Sequence, residues 1–419
     1  MMKGMKKALS LVAVGAVAVT ATACGSTTDT GTEGGGSDAA KKLVVAAEPS
    51  YAPFLNEIKG EFEEANNVTI EVQEKGMFDV LDALALDGPA GLAPDVFMMP
   101  HDRIGSLAAT GQIAPITLED GGYTDVAIQA ATFEGSTYIA PAAIEAVMLF
   151  YNKDLLPEAP TTFEELEALA ADPAYAFENE AGRSTAFLAK LVDFYVAYGI
   201  IGGYGGNVFG DNNTNPEELG LNNAGGVEGL AYIQKWQNLM PVGMQDEQSS
   251  YDFMMQYFNE GKTAAIINGP WAATDVIDAG INVGFAPLPT MPGGKTPTPF
   301  GGVKGWAVSN YSAEKDLASE FAKYITDETN GTKFFEMNNE ITPNPAVLEG
   351  IQASDNELAK TVIEQFAVAV PTPNIPQMAE VWEYKAALFD VAQGKDPQAA
   401  ADSAAQLVKD NIAAKHSGN

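Results

Sequence analysis

Short apolar runs alternate with segments whose apolar positions recur every three or four residues, the pattern of strands and amphipathic helices laid down in turn. The run KLVVAA, residues 42–47, reads as a buried strand. Phe54, Leu55, Ile58 and Phe62 then share one face of a predicted helix over Pro53–Glu64, and its proline suits a first turn, where the backbone N–H has no intrahelical partner to lose. Val68–Val72 alternates as a strand, and Asp95–Met99 gives another. Thr162-Phe163-Glu164-Glu165 has the spacing of a capping box, in which a hydroxyl and a carboxylate satisfy orphan amides at a helix start. A helical pattern from Val227 to Met240 carries Trp236 as a core residue. A helix around Tyr251–Asn259, a strand over Ala264–Ile267 and a turn at Asn268-Gly269-Pro270 come next. Such alternation specifies an α/β fold.

Roughly 375 residues follow Lys42, more than one hydrophobic core usually supports, so two lobes are expected. An apolar content of 46% is ample to fill both. No second linker-like segment interrupts them, so the lobes must be joined by short ordered crossings. Ahead of them, Lys3, Lys6 and Lys7 precede an apolar run from Ala8 to Ala21, which reads as a secretory signal over residues 1–23. That run of roughly 15 residues falls short of the ~20 that a membrane-spanning helix needs. Cys24 is the single cysteine, so no disulfide forms within the chain. It follows Ala21-Thr22-Ala23 as in a lipobox, where the thiol is acylated and the cysteine becomes the mature N-terminus. Residues 24–41 have almost no large apolar side chains and read as a flexible tether. The formal net charge of −33 argues against a nucleic-acid partner, because phosphates need a basic footprint.

The usual catalytic patterns are missing. His101 and His416 are the only histidines, which leaves no material for a Cys/His nucleophile or a zinc site, and no metal or cofactor is expected. No HExxH, G-x-S-x-G or Walker motif is present. Gly202-Gly203-Tyr204-Gly205-Gly206 lacks the spacing of a dinucleotide loop and is expected to be a simple loop. Asp211-Asn212-Asn213-Thr214-Asn215 opens like a calcium loop, but Pro216 and Asn222 replace the required glycine and glutamate, so a hairpin or surface turn is expected. Paired carboxylates for glycoside hydrolysis cannot be judged from composition alone, with 56 acidic residues present.

Four blocks carry more information: HDR at 101–103, EAVMLFYNKDLLP at 145–157, INGPWA at 267–272 and PTPNIPQMAEVWEY at 371–384. In order and spacing they resemble the maltose-binding proteins of bacterial ABC importers, from about residue 42 to the C-terminus. The resemblance implies a type II periplasmic-binding-protein-like bilobal fold, two sheets flanked by helices with a three-segment hinge. Its crossings would fall near Glu145–Leu149, Gly301–Lys304 and Ile341–Ala346. The N-terminal lobe would comprise 42–146 and 305–342, and the C-terminal lobe 147–304 and 343–415. It also implies a monomeric receptor rather than an enzyme, with an oligosaccharide ligand, the permease subunits as partners and a lipid anchor on the outer face of the cytoplasmic membrane.

Sugars present hydroxyls at their edges and C–H patches on their faces, so a site needs carboxylates for the first and aromatic planes for the second. Asp102 and Arg103 match the family's hydroxyl-binding pair, His101 its structural histidine, and Glu145 a hydroxyl-binding glutamate at the first crossing. In LVDFYVAYG, residues 191–199, Asp193 aligns with a family glutamate, Tyr195 with the stacking tyrosine and Tyr198 with a frequent tryptophan. Trp271 and Trp382 match stacking tryptophans. Against the best-known maltose binder, Met99 replaces a tryptophan and Ala386 an arginine, while no equivalent of its Asp-Lys pair stands near Ser50-Tyr51. Glu383 and Tyr384 are then new polar candidates, and Tyr51 and Phe78 candidates for replacement aromatic surfaces.

Overall fold

The computed structural model describes residues 41–213 and 215–416; the signal segment, Cys24 and the tether up to residue 40 lie outside them. The chain lays down β1 (Lys41–Ala47), β2 (Val68–Glu74), β3 (Val96–Pro100) and β4 (Ile139–Glu145). It next builds β5 (Met148–Asn152), β6 (Phe187–Leu188), β7 (Ala265–Asn268) and β8 (Val283–Ala286). Finally come β9 (Phe300–Ser309) and β10 (Val370–Pro371). The first sheet has the order β10-β9-β3-β1-β2, with β4 also paired to β9. The second has the order β8-β5-β7-β6.

Each sheet centres its own lobe. In the first, Leu43, Val45 and Ala47 of β1 point to one face, where helix α1 (Ala52–Asn66) packs through Phe54, Leu55, Ile58 and Phe62. Ala46 and Phe97 point to the other, under Val80 and Leu84 of α2 (Met77–Asp87). In the second lobe, α3 (Phe163–Ala170), α4 (Phe194–Gly203) and α5 (Ala224–Leu239) share one core with α6 (Lys385–Ala392) and α7 (Pro397–His416). Trp236 is fully buried there between Phe187 and Phe163, at ring distances of 4.8 and 6.0 Å. Trp306 is core as well, on β9 in the first lobe. At the start of α3, Thr162 Oγ1 accepts from the Glu165 N–H at 3.2 Å. The Glu165 carboxylate reaches back to the N–H of Thr161, one residue beyond the expected partner Thr162, at 2.7 Å.

Two irregular segments behave differently from one another. Asn207–Phe209 and Asn215–Gly220 pair antiparallel, so the stretch around Asp211 is indeed a hairpin. Gly202 and Gly203, expected in a loop, instead close the last turn of α4, and the chain reverses at Gly205 with φ of +104°.

The chain passes between the sheets from Glu145 to Met148, again into β9, and again beyond the helix Glu328–Asn338, where Ile144 and Ile341 pair. All ten residues of β9 are buried. It runs antiparallel to β3 over Lys304–Val308 and to β4 over Gly302–Ala307, so the first sheet's strand begins before the expected lobe boundary at 305. His101 ties the turn after β3 to β9 and to the segment that follows β10. Its Nδ1 accepts from the Val303 N–H at 3.1 Å, and its Nε2 donates to the Thr372 carbonyl at 2.9 Å. Burial disfavours the imidazolium and pushes this pKa below the ordinary value.

His101→Ala leaves both backbone partners unsatisfied and should cost about 2–3 kcal/mol, read by urea unfolding at pH 7.5. The fold holds the imidazole neutral, so its stabilising contribution is present above the unfolded pKa of about 6.5 and is lost as pH falls below it. The variant should lack that component; identical pH slopes in the two proteins would contradict the assignment.

Candidate functional site

The chain after β3 turns at once into the short 3-10 segment His101–Arg103, which aims two consecutive side chains at the junction between the lobes. Asp102 is buried, and its Oδ2 lies 3.3 Å from Arg103 Nε. The Arg103 guanidinium carbon sits 5.8 Å from the ring centre of Trp382 and 6.0 Å from that of Phe78. Trp382 opens the 3-10 turn Trp382–Tyr384, after the Pro-rich segment. Phe78 stands at the start of α2 with 52% of its surface exposed. One cation thus lies within cation–π range of two aromatic rings.

On the second lobe, Asp193 caps α4 by accepting from the Tyr195 N–H at 2.9 Å, and Lys190 lies 3.6 Å from its other oxygen. This cap sets the orientation of Tyr195. The Tyr195 ring lies 6.2 Å from Trp271 and 6.5 Å from Trp382, with Phe300 behind it at 6.0 Å. Trp271 follows the Gly269-Pro270 turn in the 3-10 segment Pro270–Ala272. Tyr195 Oη and Trp382 Nε1 are buried without a hydrogen-bond partner. Such atoms are costly unless something supplies the missing bond.

The third part of the site is ionic. Glu145 ends β4 opposite Gly302 of β9, so Lys304, two residues on, shares its face of the sheet and reaches it diagonally. Lys304 Nζ lies 3.1 Å from Glu145 Oε2 and 2.7 Å from Glu340 Oε1. It also donates to Tyr51 Oη at 2.9 Å, while Tyr51 in turn donates to Glu340. Burial alone would push the Lys304 ammonium down, but Glu145 and Glu340 outweigh it and hold it well above its ordinary value. Burial likewise raises Glu145, partly offset by Lys304. Gly302 is required here: a Cβ would lie 2.9 Å from Glu145 Cγ and 3.1 Å from Tyr195 Oη.

The structure therefore gathers Asp102, Arg103, Glu145, Tyr195, Trp271 and Trp382, with Asp193 as the cap beneath Tyr195. Three expectations are corrected. Tyr198 points into the second lobe's core, stacked on Phe300 at 3.7 Å, with its pKa pushed up by burial to about 12. Tyr384 is also core; it donates to the Leu221 carbonyl at 2.9 Å. Tyr51 offers no open face, being packed edge-on to Phe334 at 5.1 Å. Met99 is fully buried, as befits a residue that no longer presents a stacking plane. Glu383 is exposed, and no contact joins it to the cluster. Lys304 and Glu340 went unassigned in the sequence, although a lone lysine inside the apolar run FGGVKGWAVS is itself a signal, since such a charge needs a partner. Among the described residues no cluster of three or more His, Cys, Asp or Glu is arranged to hold a metal. Cavities of about 420 and 550 Å³ lie elsewhere, the first lined by Tyr123, Lys323 and Asp327 and the second by Tyr175, Glu178 and Tyr257.

Known proteins resemble this chain over nearly its whole length. Residues 57–361 match the family described as bacterial extracellular solute-binding protein. The chain is 44% identical over 416 residues to the maltodextrin-binding protein MdxE of Bacillus subtilis, covering 98% of this chain and 99% of that one. It is 37% identical over 417 residues, and 99% of each chain, to a maltooligosaccharide ABC transporter solute-binding lipoprotein of Streptococcus pneumoniae. The crystal structure of the maltose-binding periplasmic protein MalE from Listeria monocytogenes, in complex with maltose, superposes with a TM-score of 0.79. That pair is 46% identical, over 90% of this chain and 99% of the other. With a family model spanning most of the folded region and relatives matched from end to end, this chain belongs to the bacterial extracellular solute-binding proteins.

Proposed function

We propose that this chain is the maltodextrin receptor of an ABC importer, capturing its ligand between two lobes and passing it to the permease subunits without catalysing any reaction. The observation that carries this reading is the group formed by the rings of Trp382, Tyr195 and Trp271 and the carboxylates of Asp102 and Glu145, where the two sheets meet. The rings would shed water from the apolar faces of glucose units, and the carboxylates and Arg103 would take the hydroxyls at their edges. Tyr195 Oη and Trp382 Nε1, buried and unpartnered, are suited to polyhydroxylated ligands for the same reason. The names of the Bacillus, Streptococcus and Listeria relatives point to the same sugar class.

In this reading the lobes are 42–146 with 305–342, the latter extended back along β9 to Gly302, and 147–301 with 343–415, hinged at the three passages. Ligand would bind an open form first, and closure would follow because residues from both lobes grip it; a ligand shifts this balance only by its preference for the closed state. Acylated Cys24 and the tether would keep a monomeric receptor on the outer face of the cytoplasmic membrane, raising its effective concentration at the importer.

Calorimetric titration of residues 42–419 with maltose, maltotriose and maltoheptaose, with xylotetraose and raffinose as controls, tests the ligand class. Saturable binding of an α-glucan is expected, and silence from every α-glucan would overturn the reading. Trp382→Ala should weaken that binding by about 2 kcal/mol, roughly thirtyfold. Phe78→Ala, which removes a ring from the rim, should weaken maltoheptaose more than maltose; equal losses would place Phe78 outside the binding track.

A further inference from the structure

Lys304 is the described residue whose burial is hardest to explain by packing. The residue is 5% exposed, and its ammonium carries three N–H donors with three acceptors around it: Glu145 Oε2 at 3.1 Å, Glu340 Oε1 at 2.7 Å and Tyr51 Oη at 2.9 Å. These groups come from three passages between the sheets, since Glu145 ends β4, Lys304 lies in β9 and Glu340 precedes Ile341. A second carboxylate oxygen, Glu340 Oε2, is buried without a partner. The cluster thus holds two acids against one base. A buried acid in that position keeps its charge only while the base is there.

We propose that Lys304 is a positioning residue for ligand recognition: it never touches the sugar but clamps one oxygen of Glu145, so that the carboxylate stays charged with its other oxygen turned toward Tyr195 and the lobe junction. The Gly302 gap is consistent with this, for a Cβ there would lie 3.1 Å from both Glu145 Oε1 and Tyr195 Oη. Glu145 is faced by Lys304 of β9, by Glu340 of the third passage, by Asp102 of the turn after β3 and by Tyr195 of α4. Among these Lys304 alone is cationic. Glu340 competes with Glu145 for the same ammonium. The proposal rests on the sugar-receptor reading for its ligand, but the state of Glu145 can be read without one.

The test is a carboxyl carbon-13 NMR titration of the folded chain, the Glu145 resonance being the one that disappears in Glu145→Gln, run beside calorimetry with maltotriose. Lys304→Met should move the Glu145 titration upward and reduce affinity at pH 7 about tenfold or more. Glu340→Gln should move it downward, because Lys304 then serves Glu145 alone. Placed on the Glu145→Gln background, Lys304→Met should cause no further loss of affinity. A titration that both variants leave in place, or an equal loss on both backgrounds, would overturn the proposal and reduce Lys304 to a scaffold residue. Should Lys304→Met fail to fold, the Glu340→Gln shift decides. Should the wild type bind no α-glucan, the sugar reading fails while the opposite shifts of the two variants still decide the role of Lys304.

Discussion

A buried ammonium has to be matched, and in this chain the match draws on three separate stretches of sequence. Lys304 sits inside a strand whose ten residues are all shielded from water, where an unpaired charge would cost several kcal/mol. Glu145, Glu340 and Tyr51 meet that need, and in doing so they fix where each passage between the sheets must run. His101 adds a neutral counterpart, joining the turn after β3 to Val303 and Thr372. The junction of the lobes is thereby built from specified polar bonds rather than from a greasy seam. Polar bonds of fixed geometry favour discrete arrangements over a continuum, which is what a hinge between two packed bodies needs.

The site inherits its geometry from this junction. Glu145 is placed by strand register, Asp102 and Arg103 by the abrupt turn that follows β3, and Tyr195 by the Asp193 cap. None of these side chains depends on a long loop. The aromatic rings are backed by Phe194 and Phe300, so their planes are set by the second lobe's core.

Much of this was legible in the residues, and the parts that were not share a cause. Helix α1 and strand β2 declare themselves because each buries one face and the period shows it, and β1 because it is a short apolar run buried on both faces. The HDR, GPW and VWEY blocks carry enough local identity to place Arg103, Trp271 and Trp382. Tyr198 and Tyr384 were misread because α4 is apolar nearly all the way round and the turn at Trp382 is short, so periodicity could not say which aromatic faces the junction. Tyr51 was offered as an open ring surface because its partner Glu340 is 289 residues away, beyond any local pattern. Lys304 does leave a mark, a lone charge inside an apolar strand, but the mark says only that a partner is needed; which carboxylate answers it cannot be read locally, since Glu340 is 36 residues away.

The late arrival of β9 has a consequence for biogenesis. The first sheet places this strand between β3 and β4, yet it begins only at Phe300, after the whole second sheet has been made. A ribosome would therefore have to finish nearly three quarters of the polypeptide before the N-terminal lobe could close, because the central strand is the piece still missing. Contacts of such long sequence separation form slowly. The N-terminal lobe therefore completes its sheet only after every strand of the second sheet has been made.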